Sequence, residues 1–465
     1  MPKQTLPRER QRRTVTTKSK KTYDLSNERQ KRLEGVNHAI VERIERAKAL
    51  MTWFKPVPRG WISEITSTGE KVRPLACDSY KKLLMSWRKA MKWRQEMDDV
   101  LSVMIAVAAS TVQQGDQLFL MVIGNPSGSK SQFCDGLILS NHCSQVEHIN
   151  GMISGFVDEQ GNDYSQINRV NRKCMISSEG DVMINSPNFE QSMSQLRRIF
   201  DGTISASYKN MKEDRVYSGL RLTWIIAGTP AMLERDQASL GDRFLKIYLD
   251  PPTSDERREI LKRTSRAAWS AKDVVATSEA TISNPNMIIA RQMLAGYVDH
   301  LRKSSDHIRN IDCKQEYFDV CEELSMLASI ARARPPKSEE TAPTIEEPYR
   351  INSQLVRLMS FIALTLNKKK VDDEVMMRLI KVGLDTSRGI SLDLLKAMYR
   401  EGGYMNLKTI ELMSGKDSAT VTKYISFYRK VGVVDVQRKS QGPNKRKVLL
   451  FGLSDEMKKL GDLFF

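Results

Sequence analysis

Three short stretches hold residues whose types and spacing suit phosphate chemistry. The first is Gly124-Asn125-Pro126-Ser127-Gly128-Ser129-Lys130-Ser131, directly after the apolar run Leu118 to Ile123 and before a helical segment, Gln132 to Ser140. A loop in that place offers phosphate oxygens its backbone N–H groups and the positive end of the following helix. Lys130 would reach the β and γ phosphates, and the Ser131 hydroxyl would hold Mg²⁺. The consensus for such loops has glycine immediately before the lysine; here Ser129 stands there and Gly128 one residue earlier. Gly/Ser-rich turns are also ordinary loops, and the position between strand and helix is what favours nucleotide binding. The second stretch, SSEGD, ends another apolar run at 173 to 177. A strand tip near a phosphate loop is where carboxylates hold Mg²⁺ and orient an attacking water. Ser178 replaces the first acid of the usual aspartate–glutamate pair, so which of Glu179 and Asp181 binds metal and which activates water stays open. On a solvated turn the same two acids would have no role. The third stretch, WIIAGTP, leaves Thr229 at a strand tip, with Arg243 following in SLGDRFL. An arginine there suits the charge on a transferring phosphoryl group; taken alone, it is an ordinary ion-pair partner.

The elements that must position these residues are legible as runs. LFLMVI at 118 to 123, KCMIS at 173 to 177, LTWIIAG at 222 to 228 and Phe244 to Leu249 are strand-length and apolar, with helical stretches such as Gln191 to Phe200 between them. Strands alternating with helices predict a parallel α/β sheet. The chain has 465 residues, enough for two or three domains. The reading divides it into a flexible basic arm at 1–22, a helical N-terminal region at 23–98, an α/β core at 99–265, a helical region at 266–389 with a Pro/Glu/Thr-rich linker at 334–348, and a C-terminal unit at 390–465.

Lysine and arginine number 73 against 56 acids, a net charge of +17, which favours a polyanionic partner. Hydrophobic residues make up 40%, which excludes wholesale disorder. The six cysteines form no CxxC pair and read as reduced, intracellular thiols. No apolar window is long enough for a membrane span, which predicts a cytoplasmic protein with no membrane partner. Five histidines without paired spacing give no metal site of their own. Trp53, Trp61, Trp87 and Trp93 could stack on bases, but core anchoring is the plainer use. Tyr208 to Tyr217, where Lys209, Lys212 and Arg215 interleave with aromatics, is a candidate loop for gripping single strands.

The C-terminal unit reads as three helices followed by two β runs, VVDV at 433 and VLLFG at 448, with QRKSQGPNKRK between them. It resembles a winged helix-turn-helix. In that reading Ser418 to Lys430 is the recognition helix, carrying Lys423 and Arg429, and the wing carries Arg438, Lys439, Lys445, Arg446 and Lys447. Five cations on a hairpin suit DNA phosphates; a protein-binding winged helix with a solvated basic wing is the alternative.

The order of phosphate loop, acidic strand tip, LRRIFDG at 196 to 202, LTWIIAGTPAM at 222 to 232 and SLGDRFL at 239 to 245 resembles the AAA+ ATPase core of phage and mobile-element helicase-like replication proteins. Residues 346 to 389 are similar to the lid of minichromosome-maintenance-type helicases. The resemblance covers roughly residues 100 to 390. It implies an α/β P-loop NTPase core with a helical lid, ATP and Mg²⁺ as ligands, and a homo-oligomeric ring such as a hexamer, acting on DNA. It makes Thr229 the sensor-1 residue, Arg243 an arginine finger acting on a neighbouring subunit's nucleotide, and Arg350 the sensor-2 residue, with Arg357 as the fallback. The implied activity is that of an ATP-driven helicase or origin-remodelling ATPase. The alternative is a DNA-binding initiator or regulator that uses nucleotide to gate assembly, with little unwinding or turnover, and a dead nucleotide site is a third reading.

Overall fold

The computed structural model describes residues 73–113, 115–126, 129–147, 149, 152–153, 165–184, 189–207, 215–233, 243–271, 285–336, 345–441 and 446–465. The basic arm at 1–22, Trp53, Trp61, Ser127, Gly128, Lys209, Lys212 and Lys445 lie outside the described residues.

In chain order the elements are helices α1 (Tyr80–Ala90) and α2 (Gln95–Ala109), strand β1 (Phe119–Gly124), helix α3 (Lys130–Ile138) and the short strand β2 (Cys143–Gln145). Helix α4 (Gln166–Val170), strand β3 (Cys174–Ser177) and helices α5 (Gly180–Ile184) and α6 (Phe189–Phe200) follow. A hairpin of β4 (Thr203–Ala206) and β5 (Arg215–Ser218) leads to β6 (Thr223–Gly228) and β7 (Phe244–Leu249). Helices α7 (Ser254–Ala271), α8 (Pro285–Lys303), α9 (Gln315–Arg332), α10 (Tyr349–Thr365) and α11 (Asp373–Thr386) come next. The chain ends with helices α12 (Ile390–Glu401), α13 (Leu407–Ser414) and α14 (Ser418–Lys430), a second hairpin of β8 (Val434–Gln441) and β9 (Arg446–Leu453), and α15 (Asp455–Phe464).

The architecture is α/β. Strands β2, β3, β6, β1 and β7 form, in that order, a five-stranded parallel sheet. β1 and β6 are buried at every residue, as central strands covered on both faces must be. Successive side chains of β1 alternate between two cores. Leu120 and Val122 join the cluster made with α1, α2, α3 and α8 to α11, while Phe119, Met121 and Ile123 join the one made with α4 to α6. From β1 the chain passes out to β2 on one side and finally returns to β7 on the other. That change of direction opens a crevice at the carboxyl ends of the strands, the place where open α/β sheets bind ligands.

Several boundaries read from sequence fall inside continuous structure. The break at 98/99 lies within α2, and Cys77, Tyr80, Leu83 and Trp87 share one core with Leu120 and Val122. The described part of the N-terminal region is therefore built onto the sheet. Trp87 meets Phe133 of α3 edge-on at 5.0 Å, so the tryptophan braces the helix that follows the Gly124–Ser131 loop. The break at 265/266 lies within α7. Helix α9 has two apolar faces: Cys321, Leu324 and Ala328 pack with the sheet-side core, and Leu327 and Ala331 pack with Leu392, Leu395, Ile425 and Phe451 of the C-terminal unit. That unit begins at Ile390 but completes its core with α9. All six cysteines are free thiols. Among the described residues no helix is long and apolar enough to cross a membrane.

Candidate functional site

β1 ends at Gly124, where an added Cβ would stand 2.9 Å from the Leu249 carbonyl and 3.2 Å from its Cβ. Only a glycine lets β7 approach this closely at the mouth of the crevice. Asn125 and Pro126 are exposed, and Ser129 turns the chain into α3 with φ 74°, a left-handed conformation. A glycine would take that conformation freely; a serine holds it at a cost of roughly 1–2 kcal/mol. Ser129 also accepts the N–H groups of Gln132 and Phe133, so the residue at the unusual position still starts the helix. Lys130 follows, 7% exposed, and its ammonium donates to the carbonyls of Gly124 (2.6 Å) and Asn125 (2.8 Å). Burial pulls its pKa below the ordinary lysine value, against the attraction of Asp181 and Glu179. Ser131 is exposed at the first turn of α3.

The second strand tip joins the first through the sheet order. Gly180, whose Cβ would lie 2.5 Å from Ile226 Cγ2 and 2.6 Å from Met232 Sδ, lets α5 begin flush against β6. Asp181 thereby reaches the end of β6: its Oδ2 accepts the Thr229 N–H at 2.9 Å and its Oδ1 accepts the Thr229 hydroxyl at 3.0 Å. Glu179 is exposed at the tip of β3. Thus Lys130, Glu179, Asp181 and Thr229, drawn from the ends of β1, β3 and β6, gather at one edge of the sheet.

Glu147 is a residue that sequence reasoning did not single out. The chain after β2 stays against β3, with Val146 N–H donating to the Ile176 carbonyl at 2.9 Å and the Ser177 hydroxyl donating to the Val146 carbonyl at 2.5 Å. This brings Glu147 Oε1 to 3.4 Å from the Ser178 hydroxyl. No spacing in the sequence signals the pairing.

The arginines lie at the other edge. Arg243 precedes β7, so it stands at the amino end of the strands, about 20 Å from the loop after β1 at ~3.3 Å per residue along β7. It pairs with Asp201 at 3.2 Å and lies over the Phe200 ring. It does not meet its own chain's Lys130. Arg350, in the first turn of α10, pairs with Glu346 at 3.5 Å. One turn on, Gln354 donates to the Arg243 carbonyl at 2.9 Å, which sets Arg350 at the same amino edge as Arg243. Arg357 is turned away from the Gly124–Ser131 loop, against the fallback role: buried, it donates to the carbonyls of Ser110 (2.6 Å), Gln113 (2.7 Å) and Asp116, and clamps the approach to β1.

In the C-terminal unit Lys423, Arg429, Arg438, Lys439 and Lys447 are all exposed and make no ion pair among the described residues. They do not form one patch. Lys423 and Arg429 are six residues apart, about 120° around a helix at ~100° per residue, so they lie on different faces of α14. Across the hairpin Arg438 pairs with Leu449 and Ser440 with Lys447, which puts Arg438 and Lys447 on one face; Lys439, paired with Val448, is on the other. Arg446 lies in β9 in register with Gln441. Of the candidate strand-gripping loop, Arg215 to Tyr217 belong to β5. Among the described residues no three His, Cys, Asp or Glu side chains converge as a metal site.

Comparison with protein families finds no match for this chain, and comparison with curated proteins finds none either.

Proposed function

We propose that this chain is an ATP-dependent, DNA-binding motor of the AAA+ type, a replicative helicase or origin-remodelling ATPase with a helical lid and a C-terminal winged helix. The observation that carries the reading is the gathering of Lys130, Glu179, Asp181 and Thr229 at the carboxyl ends of β1, β3 and β6, with β6 inserted between the other two. Lys130 and the start of α3 supply positive charge to the β and γ phosphates. Thr229, fixed through Asp181, offers a hydroxyl beside the γ-phosphate. The Ser131 hydroxyl and the two carboxylates are hard oxygen donors of the kind that hold Mg²⁺ together with phosphate oxygens. Bound there, the ion would neutralise charge on the phosphates.

Arg243 and Arg350 share the amino edge of the sheet and serve, in this reading, the nucleotide of a neighbouring subunit in a ring. Lys423, Arg429, Arg438, Lys439 and Lys447, exposed and without ion pairs among the described residues, bind duplex DNA in this reading together with Lys445 and Arg446, in keeping with the charge of +17. The decisive experiment measures ATP hydrolysis by the full chain with and without DNA, together with unwinding of a forked duplex. DNA-stimulated hydrolysis with strand separation supports the motor. Hydrolysis or binding that promotes assembly without strand separation supports a nucleotide-gated initiator. Absence of ATP binding overturns both.

A further inference from the structure

The three carboxylates around the tip of β3 are held in different ways. Asp181 commits both oxygens to Thr229. Glu179 is exposed and makes no side-chain hydrogen bond among the described residues. Glu147 is partly buried, and its Oε1 accepts from Gln145 Nε2 at 2.6 Å and from the Ser178 hydroxyl at 3.4 Å, while Oε2 has no hydrogen bond among the described residues. A carboxylate anchored by one oxygen has the direction of its other oxygen fixed, and a general base must be so aimed. The anchor is Ser178, the residue that stands where the strand tip would otherwise carry its own acid. The charge of Glu147 is also felt along α3: after burial and the opposing pull of Arg291, it helps raise the Asp135 carboxyl. Its carboxylate thus stands at the tip of β3, beside Ser178, and its charge reaches Cys134 and Asp135 of α3. It does not converge with Glu179 and Asp181 as a three-carboxylate metal site.

We propose that Glu147, contributed by the neighbouring strand β2, activates the attacking water, with Ser178 and Gln145 as its positioning residues. This rests on the ATPase reading. In the step the water oxygen forms a bond to the γ-phosphorus and the bond from that phosphorus to the β,γ-bridging oxygen breaks, its electron pair leaving with ADP. The water proton passes to Glu147 Oε2 and is later released to solvent, so that ATP and water give ADP, inorganic phosphate and a proton.

The test uses the full chain with ATP, Mg²⁺ and DNA, comparing the parent, Glu147→Gln, Glu147→Asp, Glu179→Gln and the double variant Glu147→Gln/Ser178→Glu. Nucleotide affinity is measured by titration and turnover by phosphate release. Glu147→Gln should lower kcat by roughly 10²- to 10⁴-fold, with ATP affinity unchanged. Glu147→Asp, which keeps the charge but shortens the reach, should lower kcat less at the same affinity, and it carries the test if the glutamine variant does not fold. Returning a carboxylate to the strand tip in the double variant should recover part of the lost turnover, a response that a purely structural Glu147 would not give. Parent-like kcat in Glu147→Gln, with loss in Glu179→Gln, overturns this inference alone. A parent chain that neither binds nor hydrolyses ATP overturns the ATPase reading and this inference with it.

Discussion

Lys130 and Lys423 have the same side chain in opposite settings: one is 7% exposed against two carbonyls, the other stands in solvent without an ion pair. The difference runs through both regions. Around Lys130 most groups are held by another, Asp181 by Thr229 and Glu147 by Ser178, with Glu179 the exposed exception, and close approaches at Gly124 and Gly180 leave little play. In the C-terminal unit an apolar scaffold holds up Lys423, Arg429, Arg438, Lys439 and Lys447, exposed and without ion pairs among the described residues. Chemistry on a phosphate needs groups fixed to within a fraction of an ångström before the substrate arrives. Attraction to a polyanion needs only charge that stays hydrated and reachable. Substitutions should therefore act steeply and non-additively in the first region, and shallowly and additively in the second.

The largest effect should come from Lys130→Ala, with hydrolysis falling roughly 10²- to 10³-fold, as for loss of one preorganised charge donor, and nucleotide binding weakened while circular dichroism keeps the parent spectrum. Equal phosphate release by variant and parent would end the contrast between the regions. Thr229→Val removes the hydroxyl bond to Asp181 but keeps the N–H bond, so hydrolysis should fall by about 10²-fold, the scale of a misplaced catalytic group, with ATP affinity retained in equilibrium titration. Arg243→Ala should bind nucleotide and lose turnover. Mixed with the Lys130→Ala chain it should regain activity, because its place at the amino edge lets it serve only a neighbour; mixtures as inactive as the separate variants argue against a shared site.

Smaller effects belong to the hairpin. Replacing Arg438 and Lys447, which share a face, should flatten the slope of log affinity against log salt by about 0.9 for each phosphate contact. Lys439→Ala, on the opposite face, should flatten the slope by less than the pair does, so fluorescence anisotropy across a salt series measures how the two faces share the phosphate contacts. The smallest change is Ser129→Gly. Relief of the left-handed serine, at ~1–2 kcal/mol, is partly offset by the added freedom of glycine in the unfolded chain, ~0.5–1 kcal/mol. A net gain of about 0.5–1 kcal/mol should be visible in urea unfolding, with nucleotide affinity held or improved.

β1, β3 and β6 were legible because strands buried on both faces are continuous apolar runs, and the edge strand β7 because only Lys246 interrupts its apolar residues. β2 was not: Cys143–Gln145 is three residues long and partly polar, and the sheet recruits it through pairing with β3. The hairpin of β4 and β5 escaped for a related reason, since TISA and RVYS alternate without a strong apolar period. Local order gave the loop, the acidic tip and Thr229, because each ends an apolar run. Glu147 needed the neighbour relation between β2 and β3, which no local pattern encodes. Arg357 entered only through the family resemblance, and a resemblance in sequence does not say which end of the sheet a helix covers. The C-terminal cations were visible as composition, whereas their division between faces follows from the register Ser440 with Lys447.

Helix α9 has a bearing on how the chain can be cut. Leu327 and Ala331 are covered by the C-terminal unit, with Met326 and Ile330 packed beside them. A chain ending at residue 389 would lay that stripe open to water, and a fully buried leucine alone represents about 1.5–3 kcal/mol of burial. Exposed apolar surface of this kind promotes self-association. A shortened protein that precipitates, or that loses turnover, would thus be reporting on an uncovered helix rather than on missing DNA contacts, and pairing the truncation with Leu327→Gln and Ile330→Gln would restore solubility and separate the two causes.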